Sequence, residues 1–320
     1  MQILFIKNFI KNKIMKYKFL KILFSLIFLF FAFFSIKAQQ LEILSGFEGG
    51  SYYQFASDIS SVTTVSIKVQ PTNGSMANFR NLSKRNNHYI VFCQFDVMQA
   101  KQFEDEMSKR SRKITESMRT LLVFGNEEIH LVAKNNGKIN KIKDLKRKKV
   151  AIGTKHQGTY FTANKVKELT GVKWKDITIS FDDALSALLN GEIDAFFFVG
   201  NAPVSKLKKL SGFFKSKIKL LPIEEESLTQ FYSPVTIPAG TYKWANYDVD
   251  TYATKTVLAV NTLGKTSQEN DKIKKVLEDI KENIEELRTQ GHPRWNQIDF
   301  TFDDAEWEIY EGAKEVFGIK

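Results

Sequence analysis

Three glycine-bearing turns hold the residues best placed to do chemistry. They read Gly46-Phe47-Glu48-Gly49-Gly50-Ser51, Thr72-Asn73-Gly74-Ser75 and Gly153-Thr154-Lys155-His156-Gln157-Gly158-Thr159. Each follows a short strand-like run and precedes an amphipathic stretch. A helix start offers unpaired N–H donors and a partial positive charge. Three starts that converge make a pocket for a small anion without any catalytic group. The turns match neither a P-loop, which ends Gly-Lys-Ser/Thr, nor a Gly-x-Gly-x-x-Gly dinucleotide fingerprint, so no cofactor is expected.

The side chains beside these turns have two uses each. Ser51, Ser75 and Thr159 either cap a helix or bond a ligand oxygen. Tyr52 and Tyr53 point about 100° apart on a helix, so one packs inward while the other offers ring and hydroxyl to a solute. Glu48 suits an ammonium group, and Lys155 or His156 suits a second carboxylate; the alternative for all three is an exposed loop charge. Asp96, following Gln94, caps a helix at Val97 or touches ligand. The four histidines, His88, His130, His156 and His292, lack metal-ligand spacing, and no serine sits in a Gly-x-Ser-x-Gly elbow. The expectation is a binding protein and not an enzyme. Cys93 lies in the apolar run Tyr89–Cys93 and reads as a buried strand residue; one thiol makes no internal disulfide.

Charge and the leader set the compartment. Seven of the +11 formal charges are lysines within residues 1–38, a stretch without acids, leaving the body at +4. A nucleic-acid binder keeps its charge on the folded domain, so no nucleic-acid partner is expected. Lys16, Lys18 and Lys21 precede the apolar run Ile22–Ile36, and Ser35 and Ala38 supply small residues for cleavage before Gln39. That is the layout of a signal peptide, with Met1 or Met15 as the start. The run is shorter than the ~20 residues that span a bilayer. The mature chain is expected in the periplasm, as a monomer.

Positioning these turns requires alternating strands and helices, an α/β fold. Strands are expected at Leu41–Leu44, Thr64–Val69, Tyr89–Gln94, Leu121–Phe124, Ile129–Ala133, Val150–Ile152, Ile177–Phe181, Ile193–Val199, Ile218–Ile223 and Thr251–Asn261. Helices are expected from Tyr52 to Ile59, from Ser75 (as cap) to Leu82, and over Val97–Met107 and Thr159–Leu169. Others follow at Ala184–Leu189 (capped by Asp182 or Asp183), Asn201–Leu210 and Gln268–Thr289. Gly171 and Gly191 close two of them. The lysine-rich stretch Lys134–Lys149 reads as a connector into a second lobe. The division is a leader over 1–38, lobe I over 39–133 with 252–320, and lobe II over 134–251.

The order of motifs is similar to that of a known family. Gly49-Gly50-Ser51-Tyr52-Tyr53, Thr72-Asn73-Gly74-Ser75 with Asn78, and Gln94-Phe95-Asp96 come first. Lys143-Asp144-Leu145, Lys149–Gly153, Gly158-Thr159, Gly191–Phe197 and Ile237–Tyr242 follow. Together, over Leu41–Asn261, they resemble the TAXI family, the extracytoplasmic solute receptors of TRAP-type secondary transporters. The resemblance implies a type II periplasmic binding protein, two lobes closing on a small anionic solute such as a carboxylate, dicarboxylate or amino acid. It implies transporter subunits as partners. Its pocket motifs fall here on Gly50, Ser51, Tyr52, Tyr53, Asn73, Gly74, Ser75, Gln94, Asp96, Gly158, Thr159, Pro203 and Tyr242; Gly49 and Gln157 belong to the same turns. The sequence departs from the family at Phe47-Glu48, at Lys155-His156-Gln157 and at Tyr310-Glu311-Gly312-Ala313, the first two in pocket loops. The competing reading is a periplasmic sensor that presents its closed form to a membrane receptor.

Overall fold

The strand–helix alternation is realised around one ten-stranded sheet in a computed structural model. It describes residues 40–84, 88–109, 113–302 and 307–319, with Met15 and Lys21. The proposed signal peptide otherwise lies outside the described residues, and Leu41–Lys320 is a compact unit. The chain runs β1 (Leu41–Leu44), α1 (Ser51–Val62), β2 (Ile67–Gln70), α2 (Ser75–Leu82), β3 (Tyr89–Gln94) and α3 (Phe95–Glu106). β1 pairs in parallel with both β2 and β3. A second unit of the same kind holds β5 (Lys149–Ala151), α4 (Gly158–Thr170), β6 (Lys175–Ile177), α5 (Phe181–Asn190) and β7 (Ala195–Gly200). There β5 is parallel to β6 and β7.

Two long antiparallel strands join the halves: β4 (Met118–Lys134) and β10 (Val249–Asn261). The order is β2-β1-β3-β10-β4-β7-β5-β6, with β8 (Ile218–Leu221) on β4 and β9 (Ser233–Ile237) on β10. β4 pairs with β10 up to Glu128 and with β7 from Glu128 onwards. The short α6 (Ser205–Lys208) follows β7. After β10 come α7 (Ser267–Glu282), α8 (Ile284–Gln290) and α9 (Glu311–Phe317), which cover the first lobe.

Each lobe has its own buried layers on the two faces of its half-sheet. In the first, Phe55, Phe92, Phe124 and Trp295 form a ring cluster at 4.7–5.9 Å. Leu44, Val91, Cys93 and Val257 pack on the other face. In the second, Ile129, Val150, Phe197 and Trp174 lie on one side, and Val132, Phe196, Phe181 and Trp244 on the other. Strands buried on both faces read as continuous apolar runs, which is why β3 and β7 stand out in the sequence.

Several boundaries differ from the sequence expectation, for physical reasons. Leu121–Phe124 and Ile129–Ala133 are one strand. Gly125 takes φ +86°, and Asn126, Glu127 and Glu128 stay in the ladder opposite Lys255, Thr254 and Ala253. Ser75 is not a cap: Gly74 holds that position at φ +116°, where a side chain is strained, and Ser75 Oγ instead accepts the Gln94 N–H at 3.1 Å. Ser180, not Asp182 or Asp183, caps α5 by accepting the Asp183 N–H. Strand β6 stops at Ile177 because Phe181 already belongs to α5. The helix expected over Asn201–Leu210 shrinks to α6, since Asn201 turns inward to bond the Asn126 carbonyl. The charged C-terminal helix breaks at Asn283, whose side chain donates back to the Asp279 carbonyl. Strand β9, containing Pro234, was not anticipated.

Candidate functional site

Strand β1 feeds α1, β2 feeds α2, and β5 feeds α4, so all three glycine turns lie at the carboxyl ends of strands. The ends meet at one cavity of about 90 Å³. The first lobe contributes Gly46, Phe47, Gly49, Gly50, Ser51, Tyr52, Asn73, Gly74, Ser75, Gln94 and Glu127. The second contributes Gln157, Gly158, Thr159 and the stretch from Phe198 to Asn201 with Val204, Ser205 and Lys206. Helices α1, α2 and α4 start at Gly50, Gly74 and Gln157, and none is closed by a side-chain cap. First-turn N–H groups left in this way attract anionic oxygens.

The lobes touch here. The Ala77 N–H of α2 donates to the His156 carbonyl at 3.1 Å. The Lys206 ammonium lies 4.8 Å above the Phe47 ring while ion-paired to Asp182 at 2.5 Å. Gly158 is packed so tightly that a Cβ there would fall 1.4 Å from Gln94 Oε1. With the Gln94 side chain in this place, there is no room for a Cβ where α4 approaches the end of β3.

A buried acid lies among the lining residues. Glu127 Oε1 accepts from the Tyr52 hydroxyl and, at 2.6 Å, from Thr256 Oγ1; Oε2 accepts from Gln94 Nε2 at 2.9 Å. Burial pushes its carboxyl up to about 7 in spite of these donors. The Tyr52 ring stacks on Phe92 at 5.4 Å, so one face is core and the hydroxyl serves the acid. Among the described residues, two lining amides have an oxygen with no partner: Gln94 Oε1 and Asn201 Oδ1.

Six of the expected site residues do not line the cavity. Glu48 and His156 point into solvent, His156 contributing only its carbonyl. Tyr53 sits on the neighbouring face of α1, 100° from Tyr52. Asp96 is buried, receiving Thr162 Oγ1 at 2.7 Å, Tyr232 OH at 3.1 Å and the Val97 N–H at 2.8 Å; burial lifts it to about 6. It ties the lobes together beside the cavity. Pro203 is exposed on the outer side of its loop. Tyr242 is buried, its hydroxyl accepting the Val204 N–H at 2.9 Å and meeting His130 Nε2 at 2.7 Å. Ser75 and Thr159 do line it, but Thr159 Oγ1 accepts the Val199 N–H, leaving backbone donors for a ligand.

Glu127, Asn201 and Lys206 were missed from the sequence. The signal for Glu127 was there: the polar trio Asn126-Glu127-Glu128 interrupts two apolar runs. Among the described residues no cluster of three His, Cys, Asp or Glu can hold a metal, and no helix is long and apolar enough to cross a membrane.

The NMT1-like family matches residues 43–302. Solved structures with a related outline include MatC from Rhodopseudomonas palustris with bound malate, 11% identical, covering 79% of this chain and 87% of that one at a TM-score of 0.49. Another is the GluR0 ligand-binding core from Nostoc punctiforme in complex with L-glutamate, 13% identical, covering 78% and 98% at 0.45. A third is the amino acid transporter substrate-binding protein AbpA from Streptococcus pneumoniae bound to L-arginine, 14% identical, covering 81% and 95% at 0.44. Likeness at these scores says nothing of ligand. The sheet order, the paired crossing strands and the cleft between half-sheets are those of a two-lobed periplasmic binding protein fold.

Proposed function

The chain belongs to the NMT1-like family, and on that premise we propose that it is an extracytoplasmic receptor capturing a small anionic metabolite by hinge closure. The observation that carries this reading is one cavity bordered by three uncapped helix starts drawn from both lobes. A solute oxygen held there bonds α1 or α2 on one side and α4 on the other, so it favours the closed state over the open one. The contacts from Ala77 to His156 and from Lys206 to Phe47 belong to that closed state.

The finer reading is a TAXI-type receptor that hands its solute to TRAP-type transporter subunits. It would be released to the periplasm by cleavage before Gln39 and act as a monomer with lobes divided near residues 133 and 252. Its support is the motif order and the basic-then-apolar leader. The test is a thermal-shift series on protein beginning at Gln39. Ligand at 100 times its Kd adds about 2.7 kcal/mol and raises Tm by several degrees. Failure of every small carboxylate and amino acid to do so overturns the proposal.

A further inference from the structure

The lining of the cavity is not uniformly suited to an anion. Glu127 brings a carboxylate, and among the described residues its Oε2 carries one hydrogen bond, from Gln94 Nε2. That bond fixes the Gln94 amide, because a carboxylate accepts and Nε2 must face it; Oε1 is then left buried without a donor. Asn201 is fixed in the same way. Its Nδ2 donates to the Asn126 carbonyl at 2.8 Å, and a carbonyl cannot donate in return, so the orphan is Oδ1. Gln94 and Asn201 are each 2% exposed and both line the cavity with Glu127. Buried acceptors without donors are costly and rare. Two in one small cavity, beside the Glu127 carboxylate, ask for donors from its occupant.

The basic side of the ledger is short. Lys206 is the one cationic side chain among the lining residues, and Asp182 holds it at 2.5 Å. A dicarboxylate would place two charges beside Glu127 with no free cation to offset them. A solute with a carboxylate at one end and an ammonium at the other meets both halves of the lining.

We infer that the solute is a small zwitterion, its carboxylate on the helix starts and its protonated amine on Glu127, Gln94 Oε1 and Asn201 Oδ1. This rests on the receptor reading and narrows its ligand class. Burial raises the Glu127 carboxyl; an ammonium beside it would hold it ionised.

The test uses matched pairs on the mature chain: L-amino acids against carboxylates that lack only the amine, such as glutamate with glutarate and alanine with propionate. Thermal shift finds the binders, and calorimetry gives Kd. The expected result is an amino acid that binds at least 10-fold more tightly than its des-amino partner. Equal or tighter binding of the des-amino partner overturns the inference and leaves the receptor reading standing. Binding of neither class overturns both. Glu127→Gln keeps the shape while removing the charge; it is expected to weaken the amino acid 10-fold or more and to spare the des-amino compound. Equal weakening of both makes Glu127 structural and overturns its assigned role. Should that variant fail to fold, the matched pairs on the unaltered chain still decide.

Discussion

Replacing Gly158 by alanine separates closure from folding. Gly158 opens α4 in one lobe and Gln94 ends β3 in the other. A Cβ on Gly158 would stand 1.4 Å from Gln94 Oε1 and 2.3 Å from Cδ, so the Gln94 side chain must leave its place. In leaving, it gives up the 2.9 Å bond from Nε2 to Glu127. A hydrogen bond to a charged group is worth about 1.5–3 kcal/mol, and 1.4 kcal/mol is tenfold in Kd. On the proposed closure the clash arises as the lobes shut, so the loss falls on binding: affinity is expected to drop roughly 10- to 150-fold by these constants. An open form with the lobes apart would have no such clash. Alanine is moreover the better helix residue by up to ~1 kcal/mol, so its Tm is expected to hold or rise. Calorimetry on the best binder and a melt of the free protein give the two numbers. A Kd within twofold of the parent, or a free-protein Tm that falls in step with affinity, refutes the reasoning.

Three further outcomes are expected. Burial raises both Glu127, from 4.5 to about 7, and Asp96, from 3.8 to about 6. Acids raised on folding stabilise fully below their unfolded range and lose that contribution as pH climbs through the folded one. Stability of the parent should therefore fall relative to Glu127→Gln between about pH 4.5 and 7, measured by urea unfolding. Facing Glu127, Asp96 titrates in both proteins, while Tyr52 and Cys93 are raised and stay neutral; a flat difference across that window contradicts the burial argument. Asp279 on α7 receives Thr63 Oγ1, the Thr64 N–H and Thr64 Oγ1 at 2.8–3.0 Å and pairs with Lys275. Asp279→Ala unpins the link between α1 and β2 and should cost about 2–4 kcal/mol in denaturant, with a loss under about 0.5 kcal/mol, the level of an ordinary surface change, against it. Glu48→Ala and His156→Ala should each leave Kd within about twofold, since both side chains face solvent; a tenfold change restores them to the site.

The backbone of the site was easier to read from sequence than its side chains. Gly49, Gly74 and Gly153 all adopt positive φ at strand ends, and glycine is the residue that advertises such a conformation. The apolar runs at β3 and β7 announced a sheet buried on both faces. Glu127 was hidden because polar residues between two apolar runs read as a loop; only the ladder of β4 against β10, and the donors Tyr52, Gln94 and Thr256 from three other elements, make a carboxylate tenable in a strand. Asp96 and Tyr242 were drawn into the site by neighbouring motifs, yet their partners, Thr162, Tyr232, His130 and Val204, are distant in sequence. Hydrogen-bond partnerships of that range leave no local trace. The strand at Ser233–Ile237 was lost for the same reason, since pairing with β10 overrode the presence of Pro234; the break at Asn283 is instead local, a side chain bonding the Asp279 carbonyl within a periodicity that ran on.

The passage between the half-sheets has a mechanical meaning. β4 and β10 lie edge to edge from Met118 opposite Asn261 to Glu128 opposite Ala253. Between Thr256, where the pairing of β10 with β3 ends, and Ala253, where its pairing with β9 begins, the joint is a two-stranded ribbon and not a pair of slack tethers. A register shift between Lys255 and Val257 falls at this joint, and such irregularities increase the local twist. On the proposed closure, this short ribbon is what the two halves must turn about when a guest enters.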